Sequence, residues 1–263
     1  MVAYHARVNV IALQLDIAWE NKAANFEKAR RLLTGAAPEK DSLVVLPEMF
    51  ATGFTMNTSA MAEPYGGETE QFLARIAKEF GVFLLAGAAM RGGDGKARNK
   101  ALVFSPAGEL IAYYAKMRPF TPGGEADHYV AGERHAAFRW GDCTVSPFVC
   151  YDLRFPEIFR KAVAAHRPEL FAVIANWPVK RIQHWIRLLQ ARAIENQAYV
   201  VGVNRAGNDP YYAYGGRSLI IDPQGEILAD AGEREGFIQA ELDLANLRKY
   251  REGLPFLADL RDQ

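Results

Sequence analysis

The stretch "CTVSPFVCYDLRFPE" (residues 143–157) changes character at a cysteine. Its first half is a mostly apolar run of the kind that forms a buried strand, and Cys150 stands at the end of that run. A polar turn with Asp152 and Arg154 follows at once, and Pro156 suits the first turn of a helix over "PEIFRKAVAAHR". The sequence therefore predicts a strand, a turn that carries a thiol, and a helix.

Strand and helix patterns alternate on both sides of this stretch. Short apolar runs predict strands at "RVNVIALQLD", "DSLVVLPE", "VFLLAGAAM", "ELFAVIAN", "AYVVGVN" and "GFIQAELD". Amphipathic spacing predicts helices at "NKAANFEKARRLLTGA", "TEQFLARIAKEFG" and "QHWIRLLQARAIENQ". Turn residues predict hairpins over 99–116 and 216–230, and the glycine-rich "GGDGKARNK" is typical of a hairpin tip.

These patterns favour one layered α/β domain. The strands are continuously apolar, which is typical of sheets buried on both faces, and helices recur between them as in βαβ crossovers. The two hairpins add antiparallel pairs, so the sheets are expected to be mixed. No Pro/Gly/Ser-rich linker interrupts the 263 residues, and we expect a single domain over residues 1–263.

Charge and composition narrow the class of partner. The chain has 31 Lys and Arg residues against 31 Asp and Glu residues, so there is no electrostatic reason to expect nucleic acid or an anionic membrane. No run reaches the roughly 20 apolar residues that a membrane span needs, and the N-terminus has polar residues too early for a signal peptide. We expect a soluble, cytoplasmic protein.

The two cysteines are predicted to be free thiols. If "CTVSPFVC" is extended, Cys143 and Cys150 are separated by roughly 23 Å, whereas a disulfide needs Cα atoms within about 7 Å. Cys143 suits the role of a small buried hydrophobic residue.

Polar side chains stand just past several predicted strands. Glu48 follows "LVVLP", Lys116 follows "ELIAYYA", Cys150 follows "TVSPFV", and Asn176 follows "FAVIA". In α/β sheets, sites form where the carboxyl ends of strands open into loops. A carboxylate, an ammonium and a thiol would make an acyl-transfer site if they converge. None of the five histidines has such a setting, which argues against a papain-like Cys/His pair.

At these residues the chain resembles the nitrilase superfamily of carbon–nitrogen hydrolases. "LPEMFATGF", "YYAKMRPF" and "CYDLRFPE" resemble the three catalytic segments of that family, in the right order. "NWPVKRIQHWIRLLQARAIENQAYVVGVNRAG", "YGGRSLIIDPQGE" and "ELDLANLRKYREGLPFLAD" most resemble the omega-amidase branch. The resemblance implies a four-layer α-β-β-α sandwich with two mixed sheets.

The resemblance also implies site residues. Glu48, Lys116 and Cys150 match the family's catalytic glutamate, lysine and cysteine. The segment "GGEADHYVAG" resembles the one that carries a second glutamate, for which Glu125 is the best match and Asp127 the alternative. The chain departs from the family at Arg118, where a histidine is usual, and this leaves the exact substrate open.

The chemistry of these residues suggests a mechanism. Cys150 would attack an amide carbon while Glu48 takes the thiol proton and passes it to the departing ammonia. Lys116 and the backbone N–H of Tyr151 would hold the oxyanion. Glu125 would orient Lys116 or help to bind the leaving group. A thioester would form and be hydrolysed, without a cofactor and without a metal, since no His/Cys/Asp cluster has ligand spacing.

The omega-amidase resemblance implies short dicarboxylic acid monoamides as substrates, such as 2-oxoglutaramate or 2-oxosuccinamate. The free carboxylate of such a substrate needs a cation, for which Arg181 is the first candidate. Asn176 would also contact the substrate, and Trp177 and Phe54 would form the pocket walls. For Arg154 we expect a structural ion pair with a nearby acid, such as Glu157, instead.

Other functions stay open on the sequence alone. An N-carbamoyl-amino-acid hydrolase or a nitrilase would use the same three groups. A non-catalytic subunit that binds a small amide is an alternative from another class, although the presence of all three groups argues against it. The resemblance further implies a homodimer, with the helix after Cys150 and the segment 243–263 as contact surfaces.

Overall fold

The computed structural model describes residues 7–261. Residues 1–6 and 262–263, the two ends of the expected domain and of its C-terminal segment, lie outside the described residues. The helices are α1 (Lys22–Ala36), α2 (Thr58–Met61), α3 (Glu68–Phe80), α4 (Pro156–His166), α5 (Ile182–Asn196) and α6 (Leu244–Gly253).

Fourteen strands form three sheets within the described residues. They are β1 (Arg7–Gln14), β2 (Leu43–Val45), β3 (Phe83–Arg91), β4 (Ala97–Phe104), β5 (Leu110–Ala115), β6 (Phe138–Trp140), β7 (Cys143–Val149), β8 (Leu170–Ala175), β9 (Tyr199–Asn204), β10 (Ala206–Asn208), β11 (Ala213–Gly215), β12 (Leu219–Ile221), β13 (Ile227–Asp230) and β14 (Gly236–Asp243). Every strand, helix and hairpin predicted from the sequence is present.

Two six-stranded sheets carry the fold. Their strand orders are β14-β1-β2-β3-β4-β5 and β13-β12-β9-β8-β7-β6. The central strands β1, β2 and β3 are parallel, as are β7, β8 and β9, and the outer strands add antiparallel pairs. Both sheets are therefore mixed, as the hairpins in the sequence predict.

The sheets stack between two helical layers. Val45 and Leu85 of the first sheet share one apolar core with Val173 of the second sheet. The outer face of the first sheet is covered by α1 and α3, through residues such as Leu33. The outer face of the second sheet is covered by α4 and α5. This is a four-layer α-β-β-α sandwich, which confirms the predicted fold class.

Local signals explain where the helices begin and end. The Asn21 side chain accepts a hydrogen bond from the Ala24 N–H at 3.1 Å and starts α1. Gly81, with φ of +66°, ends α3 in a left-handed conformation. Pro156 stands in the first turn of α4, as the sequence predicts.

Four elements were not predicted from the sequence: α2, β6, the short hairpin β10–β11, and α6. The strands of that hairpin and β6 span only three residues each, too short for a periodic pattern. Helix α6 lies in the segment that resembles the family's C-terminal tail. The Asp243 side chain caps it by accepting from the Asn246 N–H at 2.9 Å, and Leu244 and Leu247 are buried.

Close packing of β3 against the segment after β2 sets the position of Glu48. A Cβ atom at Gly87 would lie 2.5 Å from the Glu48 Cα and 2.5 Å from the Met49 nitrogen. These are backbone atoms, which cannot move aside as a flexible side chain would. Only glycine allows the two segments to approach this closely.

We expect the Gly87→Ala variant to lose about 1–3 kcal/mol of unfolding free energy, the usual cost of overpacking. Because the added methyl group displaces Glu48, we also expect it to lose the amide hydrolysis that the family resemblance implies. Chemical denaturation measures the first and ammonia release the second. Gly93→Ala is the matched control, since a Cβ there meets no atom within 4 Å. Equal stability and activity of the two variants would contradict this account.

Candidate active site

The polar residues at the strand ends meet between the two sheets. Lys116, after β5, places its Nζ 2.9 Å from Glu48 Oε1 and 2.7 Å from Glu125 Oε2. Glu48 follows β2 and Glu125 lies in a short 3₁₀ turn. All three side chains are at most 1% exposed. Residues far apart in the chain thus form one buried charged cluster, as the sequence predicts.

Asn99 on β4 joins the two carboxylates. Its Nδ2 donates to Glu48 Oε1 at 2.7 Å and to Glu125 Oε1 at 2.8 Å. The sequence analysis missed this residue. The one signal for it was a polar side chain at the start of the run "NKALVF", where a buried strand is predicted.

Asn176, at the end of β8, holds Glu48 from the other side. Its backbone N–H donates to Glu48 Oε2 at 2.8 Å, and its Nδ2 donates to the Glu48 carbonyl at 2.7 Å. These contacts make Asn176 a positioning residue for Glu48. It also lines the pocket beside Cys150, so the structure leaves the predicted substrate contact open.

The pKa shifts of Glu48 and Lys116 indicate which groups of the cluster are charged. Burial raises the pKa of Glu48, but attraction to Lys116 and hydrogen bonds from Lys116, Asn99 and the Asn176 N–H outweigh it and lower the pKa below its usual value. Burial lowers the pKa of Lys116, but Glu125 and Glu48 outweigh that effect and raise it. The pair is therefore a carboxylate and an ammonium at neutral pH.

Cys150 occupies a strained turn. Its φ is +49°, in the left-handed region that costs a non-glycine residue on the order of 1–3 kcal/mol. The turn lies between β7 and a 3₁₀ segment over Cys150–Arg154, and it brings the half-buried thiol to a pocket next to the charged cluster. The predicted strand, thiol-bearing turn and helix are confirmed.

The resting state of Cys150 is a thiol. Burial, followed by the negative charge of Glu48, raises the pKa of Cys150 well above its usual value, and Lys116 opposes this only in part. A neutral thiol is a weak nucleophile. Among its charged neighbours, Glu48 has the strongest effect on the pKa of this thiol. Cys143 and Cys150 are both free, as predicted.

A narrow pocket opens at Cys150. Its cavity volume is about 30 Å³. The four predicted substrate-binding residues, Phe54, Asn176, Trp177 and Arg181, all line it together with Tyr151. Other lining residues are Phe120, Arg154, Pro178, Tyr212 and Tyr214.

The expected ion pair between Arg154 and Glu157 is wrong. The guanidinium of Arg154 lies 4.8 Å from the centre of the Trp177 ring and lines the pocket. Glu157 lies on the first turn of α4 and pairs with Arg118 at 3.9 Å. The turn before α4 directs the two side chains of 154 and 157 to different neighbours.

Five pocket residues were missed as substrate-binding candidates: Phe120, Arg154, Pro178, Tyr212 and Tyr214. Arg154 was assigned a structural role. Tyr212 and Tyr214 belong to the hairpin β10–β11 and the loop between its strands, in a part of the chain with no predicted element. Their signal was the aromatic run "YYAY" close to the glycines of "YGGRS", which alone does not indicate a pocket.

Neither a metal cluster nor a membrane span is found in the described part of the chain. Residues 7–261 contain no group of three or more His, Cys, Asp and Glu side chains arranged to hold a metal ion. No helix in that range is long and apolar enough to cross a bilayer.

Comparison with known proteins defines the class. Residues 9–252 match the carbon-nitrogen hydrolase family, and the chain therefore belongs to that family. It is 35% identical to a 2-oxoglutaramate amidase of Bacillus subtilis, over 96% of this chain and 97% of that protein. It is 37% identical to an omega-amidase of Escherichia coli, over 96% of each chain.

Solved structures agree with the predicted fold. A CN-hydrolase superfamily protein of Xanthomonas campestris has a TM-score of 0.92 and 32% identity, over 98% of each chain. Nit3 of Saccharomyces cerevisiae, from branch 10 of the nitrilase superfamily, has a TM-score of 0.83 and 28% identity, over 95% of this chain and 94% of that one. The predicted family is confirmed.

The buried cluster predicts an unusual response to pH in the Lys116→Met variant. Without the ammonium, two buried carboxylates have no cationic partner. We therefore expect the free energy of unfolding to fall by about 3–5 kcal/mol at pH 8. Burial then outweighs the hydrogen bonds from Asn99 and the Asn176 N–H, and we expect it to raise the pKa of Glu48 above its unfolded value. A group with a raised folded pKa stabilises the fold at low pH, so the variant should recover stability between pH 8 and pH 5.

Chemical denaturation at pH 5, 6.5 and 8 measures this recovery. Lys249→Met, at an exposed position of α6, is the matched control. Its free energy of unfolding should stay close to that of the wild type at each pH. If the Lys116→Met protein unfolded like this control at pH 8, the ammonium would not be what holds the two carboxylates in the core.

Proposed function

We propose that the protein hydrolyses the terminal amide of short dicarboxylic acid monoamides, such as 2-oxoglutaramate or 2-oxosuccinamate, to the acid and ammonia. The relatives named 2-oxoglutaramate amidase and omega-amidase support this. The observation that carries it is one pocket lined both by the Cys150 thiol and by two arginines, Arg154 and Arg181.

In the first half of the reaction, the sulfur of Cys150 bonds to the amide carbon and its proton passes to Glu48. The carbonyl oxygen becomes an oxyanion. Glu48 then gives the proton to the amide nitrogen, the carbon–nitrogen bond breaks, and ammonia leaves. The acyl group remains on Cys150 as a thioester. The lowered pKa of Glu48 supports its role as the first proton acceptor, because the glutamate is ionised before the reaction begins.

In the second half, a water molecule attacks the thioester carbon and gives a proton to Glu48. The carbon–sulfur bond breaks, the proton returns to the sulfur, and the acid is released. The enzyme is restored, and no other reactant is consumed. The same carboxylate thus acts as base and acid in each half.

Lys116 and the backbone N–H of Tyr151 would stabilise the oxyanion. An ammonium group has three N–H donors, and Glu48 and Glu125 accept two of those of Lys116. The third remains for the oxyanion. Removing one such donor typically costs a few kcal/mol of transition-state stabilisation. Glu125 would act on Lys116, which it orients, and its Oε2 also accepts the Phe120 N–H at 2.5 Å.

Two arginines would bind the far carboxylate of the substrate. Burial lowers the pKa of Arg154, and so does the nearby positive charge of Arg181. Among residues 7–261 neither guanidinium forms an ion pair with a carboxylate. Two neighbouring cations without an anion favour a substrate that brings one, and arginine binds carboxylates with its planar fork.

We also propose a cytoplasmic location, a single domain and a homodimer. Two free cysteines suit a reducing compartment. The exposed side chains of Leu254 and Phe256, after α6, are 47% and 55% accessible, and a second subunit would cover them. Light scattering at micromolar concentration tests the assembly, and a monomer would contradict it.

We expect the Cys150→Ala variant to release no ammonia from succinamate or 2-oxoglutaramate, because the thioester cannot form. With wild-type protein, added hydroxylamine should trap the acyl group as a hydroxamate. Cys143→Ala is the matched control, since it removes the other free thiol at a buried site, and it should keep its activity. Turnover by the Cys150→Ala protein would exclude covalent catalysis at this residue.

The same assay separates the alternatives. An N-carbamoyl amino acid and an aliphatic nitrile, run beside the monoamides, test the carbamoyl hydrolase and the nitrilase. Thermal stabilisation by a monoamide without ammonia formation would instead indicate a non-catalytic binding subunit.

The role of the arginines is tested with two amides of equal length. Succinamate carries a far carboxylate, and butyramide carries a methyl group there. We expect Arg181→Met to lower kcat/KM for succinamate by about 10- to 100-fold, since charged hydrogen bonds contribute about 1.5–3 kcal/mol. The value for butyramide should not change. Arg187→Met, at an exposed site of α5, is the control, and an equal effect on both amides would refute carboxylate binding by Arg181.

A further inference from the structure

The catalytic roles proposed above leave one fully buried carboxylate unused. Asp152 is 0% exposed and lies two residues after Cys150. Its Oδ2 accepts the Val149 N–H at 3.1 Å and the Tyr114 hydroxyl at 2.9 Å. Its Oδ1 accepts the Arg118 N–H at 2.9 Å. Both oxygens are therefore occupied by donors from separate parts of the chain.

These donors flank the two groups that must act together. Val149 immediately precedes Cys150. Tyr114 and Arg118 stand two residues before and two residues after Lys116. The Asp152 carboxylate thus connects the turn that carries Cys150 with the segment that carries Lys116. It holds that segment at residues before and after the lysine.

This connection includes the strained turn at Cys150. Cys150 has a left-handed backbone, with φ of +49°, and such a conformation persists only where the surroundings hold it. The hydrogen bond from Val149 to Asp152 closes the turn directly at the cysteine. Burial raises the pKa of Asp152 to about 7, while Lys116 and the three donors favour its ionised form. Burying a carboxylate costs free energy because the charge is removed from water. The presence of Asp152 in the core therefore suggests a role beyond packing.

We propose that Asp152 is a positioning residue, which holds the Cys150 turn and the Lys116 segment at the separation where sulfur and ammonium reach the same carbonyl group. This inference rests on the proposed function, since it assumes that Cys150 and Lys116 act on one substrate. Asp152 itself contacts neither the substrate nor the reacting atoms.

The test is the Asp152→Asn variant. An amide keeps one acceptor oxygen and turns the other into a donor, so the N–H of Val149 or of Arg118 then faces an N–H group. We expect kcat for succinamate to fall about 10- to 100-fold, the effect of a misplacement of about 1 Å. KM should change less than threefold, since Arg154 and Arg181 remain.

The Tyr114→Phe variant removes one donor without adding a repulsive contact, and it stays informative if Asp152→Asn does not fold. We expect a smaller fall in kcat, about three- to tenfold, with KM unchanged. In the double variant the Tyr114 effect should vanish, because both changes break the same connection. Tyr199→Phe is the matched control. Its hydroxyl donates to the Asp243 carbonyl at 3.3 Å, far along the chain from the site, and kcat should stay unchanged.

A second measurement does not depend on turnover. The rate at which iodoacetamide alkylates Cys150, followed by peptide mass, reports the thiolate next to Lys116, whose charge favours ionisation of the thiol. We expect Asp152→Asn to slow it at least threefold. An inactive wild type would refute the proposed function, and the alkylation rate would still decide the present inference. Variants with a lower melting temperature but unchanged kcat and alkylation rate would overturn it.

Discussion

The structure depends on one buried ammonium between two buried carboxylates. Lys116 lies within 2.9 Å of Glu48 and 2.7 Å of Glu125. None of these charges would be stable alone in a core, because the free energy needed to remove an ion from water exceeds the stabilisation that packing provides. Together, and with the N–H groups of Asn99, Asn176 and Phe120 satisfying the remaining oxygens, they are stable. The arrangement also keeps the Glu48 carboxylate ionised beside the neutral thiol of Cys150.

The two sheets explain why these groups meet. In each sheet the central strands are parallel, so their carboxyl ends open at one edge. Stacking the sheets brings Glu48 from one of them against Cys150 and Asn176 from the other. Gly87 permits the close approach that places Glu48, and Asp152 connects the cysteine turn with the lysine segment. The positions of Glu48, Cys150 and Lys116 thus depend on backbone contacts as much as on contacts between side chains.

The pocket places two arginines beside Cys150. A thiol, a carboxylate and an ammonium suffice for acyl transfer from many amides. In the proposed function, Arg154 and Arg181 would select among them by charge. Trp177 contacts both residues: its ring lies 4.8 Å from the Arg154 guanidinium, and its indole N–H donates to the Arg181 carbonyl at 2.8 Å. Tyr212 and Tyr214 close the pocket from a hairpin outside both large sheets.

The sequence by itself determined the order of strands and helices and the mixed sheets, because apolar runs and amphipathic spacing are visible along the chain. It placed Glu48, Lys116 and Cys150 just past apolar runs, but the resemblance to three family segments, and not the runs, singled these residues out. Apart from the predicted contact between Glu125 and Lys116, only the tertiary structure decided the partners of these groups. Asn99 lies 51 residues from Glu48, and Asp152 lies 34 residues from Arg118. Arg154 turned to the pocket instead of to Glu157. Hydrogen bonds and ion pairs between distant segments follow from packing, which leaves no periodic signal in the chain.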